Sequence, residues 1–174
     1  MSSEVKQLDF FRATDKYITF LQNIESKIMD NRHDGKLRTY LGVLITIGVH
    51  QYFAPLTSYK EDKHGHIKNS DQSCVIIYGK DREEDDDKKI ALLNINNMFP
   101  SIITEMTKVD FDKESEKNKA FLEKEYRFIV SNQDKIIKKA QKLHKLITEK
   151  NIPALKNKCC DFKKLEQEYI KFAQ

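Results

Sequence analysis

The stretch from Arg38 to Lys60, RTYLGVLITIGVHQYFAPLTSYK, constrains the fold more than any other part of the chain. Tyr40 to Ile47 is rich in β-branched and aromatic residues, which suit a pleated, half-buried surface. Gly42 lies within it, where a bulge or a close approach needs a residue without a Cβ. Gly48 and His50 mark a turn, and Gln51 to Leu56 returns as a second strand, so the stretch reads as a hairpin. Pro55 has no N–H to give a ladder and is expected at its strand's end or on a sheet edge. Thr57, Ser58 and Lys60 then fall just past the sheet, where scaffolds display their chemistry.

The flanking segments supply the other elements. Leu8 to Phe11 reads as an initial strand. Thr14 and Asp15 offer an N-cap to an amphipathic helix whose Tyr17, Phe20, Leu21, Ile24 and Ile28 recur at helical spacing. MDNRHDGK is turn-like. Residues 59–73 lack periodicity and read as a mobile, partly basic loop. Cys74 to Tyr78 and Ile90 to Ile95 are short apolar strands, Asn96 to Pro100 a turn, and SIITEMTKVDF a final strand or a strand with a short helical turn. From Glu116 the pattern is helical, with Phe121, Leu122, Glu125, Tyr126, Phe128 and Ile129 in one stripe. Ser131 with Asp134 resembles a capping box, which predicts a kink or a fresh start. Beyond it Ile136, Ala140, Leu143 and Ile147 form one face and Lys138, Lys142 and Lys145 another. Pro153 ends that helix, and FKKLEQEYIKF makes a last one. Helix, antiparallel strands, then helices is an α+β order. One domain over residues 1–174 is expected, with a strand core at about 36–112 and a helical part at about 115–174.

Composition narrows the setting. With 39% hydrophobic and 33% charged residues the chain has a modest core under a polar surface, and 3 Pro and 5 Gly leave little room for long linkers. No run approaches the roughly eighteen apolar residues of a membrane span. MSSEVKQLDFF has no basic segment followed by an apolar one, so a signal peptide is not expected and the cytoplasm is the default. The 3 cysteines, Cys74, Cys159 and Cys160, lack the spacing of a disulfide framework and fit a reducing compartment. The net charge of +4 says little by itself. Its distribution says more, because Lys135 to Lys158 carries eight lysines against Glu149 alone. Such a surface favours a polyanion, nucleic acid first. It is equally the solvated face of an ordinary helix. Asp81 to Asp87 is read as a solvated acidic loop.

Thr57, Ser58 and Lys60 place two hydroxyls and a cation close together. A phosphodiester needs such a set, with neutral donors for its non-bridging oxygens and positive charge where negative charge builds. RNA brings its own nucleophile, the 2′-OH, so neither a protein nucleophile nor a metal is required. A Ser/Thr turn with a solvated lysine has the same spelling. A Ser–His–Asp hydrolase is disfavoured because no G-x-S-x-G elbow surrounds Ser58. His64, Gly65 and His66 have no paired cysteines for structural zinc. They read as two loop histidines, or as one that shuttles a proton near neutral pH.

Several strings go further than composition. YLGVLITI followed by YFAPLTSYK resembles the toxin endoribonucleases of type III toxin–antitoxin systems, the ToxN/AbiQ family. That family is similar in having an aliphatic strand around a Gly, a short turn and then A-P-L-[ST]-S-x-K. DKYITFL is similar to its S-x-K-Y-[IL]-x-x-L helix, LLNINNMFPSI to its I-N-x-x-x-M-[IF]-P segment, and EYRFIVSNQDKIIKKAQKL to its Q-F-I-x-x-N-x-D-K-I helix. The chain departs at Tyr59, where relatives are expected to have Pro, and in the insert from Lys80 to Lys89.

The resemblance implies a compact antiparallel β-barrel like the Kid/MazF toxins, with an N-terminal helix and C-terminal helices. It implies metal- and cofactor-independent cleavage of single-stranded RNA to a 2′,3′-cyclic phosphate. Its partners would be cellular mRNA and a small pseudoknot RNA antitoxin, cut from a repeat precursor and held in a closed assembly, with no membrane or DNA partner. Growth arrest and abortive phage infection would follow. Thr57, Ser58, Lys60 and Arg38 match the catalytic set, and Tyr17 is expected to stack on a base. Lys36, Lys63, His64, His66 and Lys68 are expected to touch RNA around it, and Lys138, Lys142 and Lys145 the antitoxin. A non-catalytic RNA binder on the same scaffold, or a helical interaction module, are the alternatives. The general base stays open.

Overall fold

The computed structural model describes residues 8–173, apart from the side chains of Val43, Leu44, Ile45 and Ala173. Residues 1–7, most of the stretch read against a signal peptide, therefore lie outside it. The first strand, β1 (Asp9–Ala13), leads directly into α1 (Asp15–Ile24). Thr14 caps that helix: its side chain accepts from the Tyr17 N–H, satisfying one of the first-turn donors. The helix stops at Ile24, a turn earlier than the apolar spacing suggests, and Ile28 is buried beyond its end. Asp34 and Gly35 both have positive φ, 50° and 76°, and close a two-stranded hairpin, β2 (Arg32–His33) and β3 (Lys36–Leu37). An Asp-Gly pair is the expected chemistry for such a turn.

The central hairpin is β4 (Tyr40–Ile47) and β5 (His50–Ser58). Its register shifts between Leu41 and Ile45, and a Cβ on Gly42 would lie 2.2 Å from the Phe53 ring. Both reasons for a glycine at this position therefore apply. Residues 59–73 are not wholly irregular: Lys60 opens a one-turn helix, α2 (Glu61–His64). Then come β6 (Val75–Gly79) and β7 (Lys88–Leu93), with the acidic block as the exposed connection. Asp81 at its start is held down to about 2 by hydrogen bonds from Lys124 and Lys88. The chain continues through β8 (Phe99–Pro100), a 3₁₀ turn at Ile103–Glu105 and β9 (Met106–Lys108).

Four helices complete the chain: α3 (Glu116–Ser131), α4 (Gln133–Glu149), α5 (Pro153–Lys158) and α6 (Phe162–Glu168). The break after Ser131 is where it was expected, but no capping box makes it. Asn132 is the cap residue of α4 with no side-chain cap bond, and its amide instead donates to Phe128 O at 2.8 Å. Pro153 opens α5 rather than merely closing α4, as its fixed φ allows at a first helical position.

The strands pair antiparallel in the order β6-β7-β5-β4-β1-β9, with β8 added beside β5. Among the described residues β6 and β9 do not pair, so the closed barrel expected above is not found. The reason is visible at the edges. β9 has three residues and passes through Phe111–Lys113 into α3, and α3 packs on both that turn and β6. A helix thus takes the place a closing strand pair would need. Pro55 also differs from expectation, lying inside the central strand β5. Tyr52 and Phe53 pair with β8, whereas Leu56 to Ser58 pair with β7. Pro55 falls in the gap between these partners, where no ladder donor is required.

The main apolar core, from Leu8 to Leu165, joins sheet and helices, and Cys74, Ile76 and Leu92 form a smaller separate cluster. Polar ties fix the helices to it. Tyr52 Oη donates to Glu166 Oε1 at 2.6 Å and His144 Nε2 lies 2.7 Å from the same oxygen, linking β5, α4 and α6. Buried Glu25 accepts the Asp161 N–H at 2.9 Å, tying the end of α1 to the start of α6. Cys74, Cys159 and Cys160 are buried free thiols. No described helix is long and apolar enough to cross a membrane.

Candidate active site

Thr57 and Ser58 are the last two residues of β5, and Lys60 follows as the cap residue of α2. Successive strand side chains point to opposite faces, and here the alternation ends at the sheet's rim. Leu56 is buried, Thr57 half-buried and Ser58 exposed. Among the described residues nothing hydrogen-bonds the Ser58 hydroxyl and nothing pairs with the Lys60 ammonium. A hydroxyl and a cation are thus left available at the strand's mouth.

Arg38 lies between β3 and β4 and reaches across to the same point. Its Nη1 donates to Leu56 O and to Thr57 Oγ1, both at 3.2 Å, and its Nε donates to Asp30 O at 2.8 Å. The Arg38 N–H donates to Asn31 O at 2.6 Å, which fixes the backbone from which the side chain starts. Burial pulls the guanidinium below its ordinary range, with Tyr40 and Asp30 opposing. It remains the cation of the site, since an arginine starts so high. With Nε and Nη1 engaged by protein, Nη2 is left for an anion.

Asn94, the residue after β7, is the member that the sequence reading missed. Its Nδ2 donates to Thr57 Oγ1 at 2.9 Å and to Pro55 O at 3.3 Å. The signal was a single polar residue ending the apolar run Ile90 to Leu93, and local sequence does not say that β7 lies beside β5.

α2 brings His64 back onto the string. The Lys60 N–H donates to His64 Nδ1 at 2.9 Å. A backbone N–H only donates, so Nδ1 is unprotonated and the neutral ring carries its proton on Nε2. Burial, Lys63, His66 and Lys60 lower the His64 pKa from its ordinary 6.5, while Asp62 opposes. At neutral pH His64 therefore offers an N–H donor rather than a base. Tyr59 adds a half-exposed ring 5.6 Å from that of His64, with Lys89 Nζ 5.4 Å from its centroid.

The remaining expected residues divide clearly. Lys36 on β3, just before Arg38, and Lys63, His66 and Lys68, just after Lys60, are exposed. Lys138, Lys142 and Lys145 are exposed on α4. Lys139 on that helix is partly buried and donates to Cys74 O at 2.7 Å, bracing the segment that follows α2 against α4. Tyr17 must be corrected. Its side chain is 0% exposed, its hydroxyl donates to Pro100 O at 2.7 Å, and Phe99 and Phe172 pack edge-on to its ring. The apolar stripe that made α1 amphipathic turned the ring inward, so no base can stack on it.

The chain thus joins an arginine, a threonine hydroxyl and an amide at the end of β5, with an exposed serine hydroxyl, a lysine and a neutral imidazole directly after them. Donors and cations predominate, which suits a phosphodiester. Comparison with known proteins bears on what that phosphodiester belongs to. The family model described as toxin ToxN, type III toxin–antitoxin system, matches residues 9–170. An endoribonuclease ToxN from Bacillus thuringiensis subsp. kurstaki is 32% identical over 167 residues, covering 91% of this chain and 81% of that protein. A solved type III toxin structure, concerned with selective toxin inhibition by a non-coding RNA pseudoknot, superposes with a TM-score of 0.83 at 30% identity, covering 97% and 99% of the two chains. The fold is also that of AbiQ, a lactococcal anti-phage endoribonuclease, at a TM-score of 0.84 and 24% identity over 97% of this chain and 99% of that one.

Proposed function

This chain belongs to the ToxN family of type III toxin–antitoxin toxins, and from that premise we propose that it cleaves single-stranded RNA at the mouth of β5 without a metal. It is an endoribonuclease toxin, and its antitoxin partner is a pseudoknot RNA. The observation that carries the mechanism is the hydrogen bond from Arg38 to Thr57 at the end of the strand that also holds Ser58, with Lys60 two residues further on. Ser58 orients the 2′-OH. Its oxygen forms a bond to phosphorus while the bond to the 5′ oxygen breaks, leaving a 2′,3′-cyclic phosphate and a 5′-hydroxyl. The 2′ proton leaves to a base not yet identified, and the departing 5′ oxygen gains one. Lys60 stabilises the charge of the phosphorane-like transition state or assists that departure. Thr57 and Arg Nη2 of Arg38 hold the non-bridging oxygens. Tyr59, beside Ser58 and half-exposed, takes the base-stacking role that buried Tyr17 cannot fill.

Several finer points belong to the same reading. The kinship with Kid/MazF toxins is read as one of an opened sheet rather than a closed barrel, a reading supported by the antiparallel strand order. Residues 1–174 act as one toxin domain, supported by the apolar core that runs from Leu8 to Leu165. A cytoplasmic setting is supported by three buried free thiols. Growth arrest and abortive phage infection are the consequences in the cell. Lys36, Lys63, His66 and Lys68 guide the substrate strand, and the α4 lysines hold the antitoxin.

The test is digestion of a mixed-sequence RNA in EDTA, followed by mass spectrometry of the fragments. Cyclic phosphate and 5′-hydroxyl ends support the mechanism. Intact RNA leaves a non-catalytic binder, and 5′-phosphate ends mean a different reaction.

A further inference from the structure

A threonine hydroxyl has one proton to donate and two lone pairs to accept with. Thr57 Oγ1 meets Arg38 Nη1 at 3.2 Å and Asn94 Nδ2 at 2.9 Å. Arginine has no acceptor, so the first of these bonds runs in one direction only. The second is fixed by Pro55. A carbonyl oxygen cannot donate, so the end of the Asn94 amide facing Pro55 O at 3.3 Å is its NH₂, and the same NH₂ faces Thr57. The Asn94 backbone N–H donates to Pro55 O as well, at 2.9 Å, which holds the residue in register with β5. Both lone pairs of Thr57 Oγ1 are thus occupied by groups that cannot take its proton. Among the described residues nothing else accepts it. The proton is left to point out of the protein, at the half-exposed rim.

We propose that Asn94 is a positioning residue of the cleavage site: together with Arg38 it saturates Thr57 as an acceptor and so turns the threonine proton outward, onto a non-bridging oxygen of the scissile phosphodiester. An unconstrained hydroxyl would spend part of its time accepting from water or donating to protein. Here the direction is set before substrate arrives, which is what a preorganised donor requires. The peptide geometry explains why an asparagine is suited. A carboxylate in its place would accept the threonine proton and turn it inward, and an apolar residue would leave the hydroxyl free to rotate. This inference rests on the RNA-cleaving reading above and adds to it a residue outside the hairpin.

The experiment is a double-mutant cycle on single-turnover cleavage, with excess protein and an end-labelled RNA pool of mixed sequence. Maximal rate and half-saturating protein concentration are measured separately. Asn94→Ala is expected to lower the maximal rate by roughly 10- to 100-fold, less than outright loss of an oriented donor, with half-saturation little changed. Asn94→Asp, the same shape without the donor, is expected to be at least as slow and guards against a packing defect in the alanine variant. Thr57→Ser is expected to keep most of the rate. In a Thr57→Val background Asn94→Ala is expected to cost nothing further, because the group it orients is gone. An equal loss in both backgrounds, or no loss in the parent background, overturns the proposal. If the parent protein itself releases no cyclic-phosphate ends, it is the cleavage mechanism that fails, and the two failures are told apart in the same set of reactions.

Discussion

Tyr17 donates its hydroxyl to the carbonyl oxygen of Pro100 at 2.7 Å, a buried bond that ties α1 to the end of β8. Removing that hydroxyl by Tyr17→Phe leaves the Pro100 oxygen short of a partner in the core, at a cost of about 1–3 kcal/mol. The expected outcome is a lower denaturation midpoint with an unchanged cleavage rate per folded molecule. A rate that falls without any loss of stability would return Tyr17 to the RNA site.

Ser58 is exposed and has no described hydrogen-bond partner, so Ser58→Ala should cost within about 0.5 kcal/mol of stability. Losing an oriented donor at the reacting centre typically costs ~10²–10³ in rate. The variant is therefore expected to be non-toxic when expressed without antitoxin, yet to bind the antitoxin RNA as the parent does. Normal growth arrest by that variant removes Ser58 from the mechanism.

The α4 lysines are proposed to act away from the cleavage site, through their charge on the antitoxin backbone. Lys138, Lys142 and Lys145 are exposed, and charge that neutralises phosphates shows up in the salt dependence of binding. Replacing all three by Gln is expected to weaken antitoxin binding and to flatten the slope of log K against log salt by roughly 2–3. Titration at several salt concentrations decides this. An unchanged slope would mean that this face of α4 looks away from the RNA.

Glu125 lies in the apolar stripe of α3 and is 3% exposed, and desolvation pushes it up to about 8. The folded chain holds a proton that the unfolded chain releases near 4.5. The stability linked to that proton is complete below pH 4.5 and is lost as pH rises through about 8. Glu125→Gln carries no such proton, so its stability should match that of the parent near pH 4. It should exceed the parent's by ~4 kcal/mol at pH 8. Urea unfolding at those two pH values is the measurement, and parallel pH curves for the two proteins would contradict it.

Local signals in this chain sufficed at Thr14 and Gly42, where the governing interaction was itself local. Thr14 caps α1 three residues from the N–H it accepts, and Gly42 marks both a register shift and the ring of Phe53 within one hairpin. The same hairpin carries Thr57 back beside Arg38, nineteen residues away, because its register is set by its own turn and apolar pattern. That register accounts for the nearness of Arg38 to the T-S-x-K string, although it was the family resemblance, not local pattern, that singled the arginine out.

What the sequence determined by itself was thus the main elements, their order and which polar and charged residues stand at the hairpin's end. Which partner each strand takes was decided in three dimensions. β5 changes partner from β8 to β7 at Pro55, and that change delivers Asn94 to Thr57 from thirty-seven residues away. The open sheet and the inward-facing Tyr17 have the same origin. A helix's apolar stripe or a strand's edge states that something will cover it, but the covering group is chosen by the packing of the whole chain, where no short stretch holds both partners.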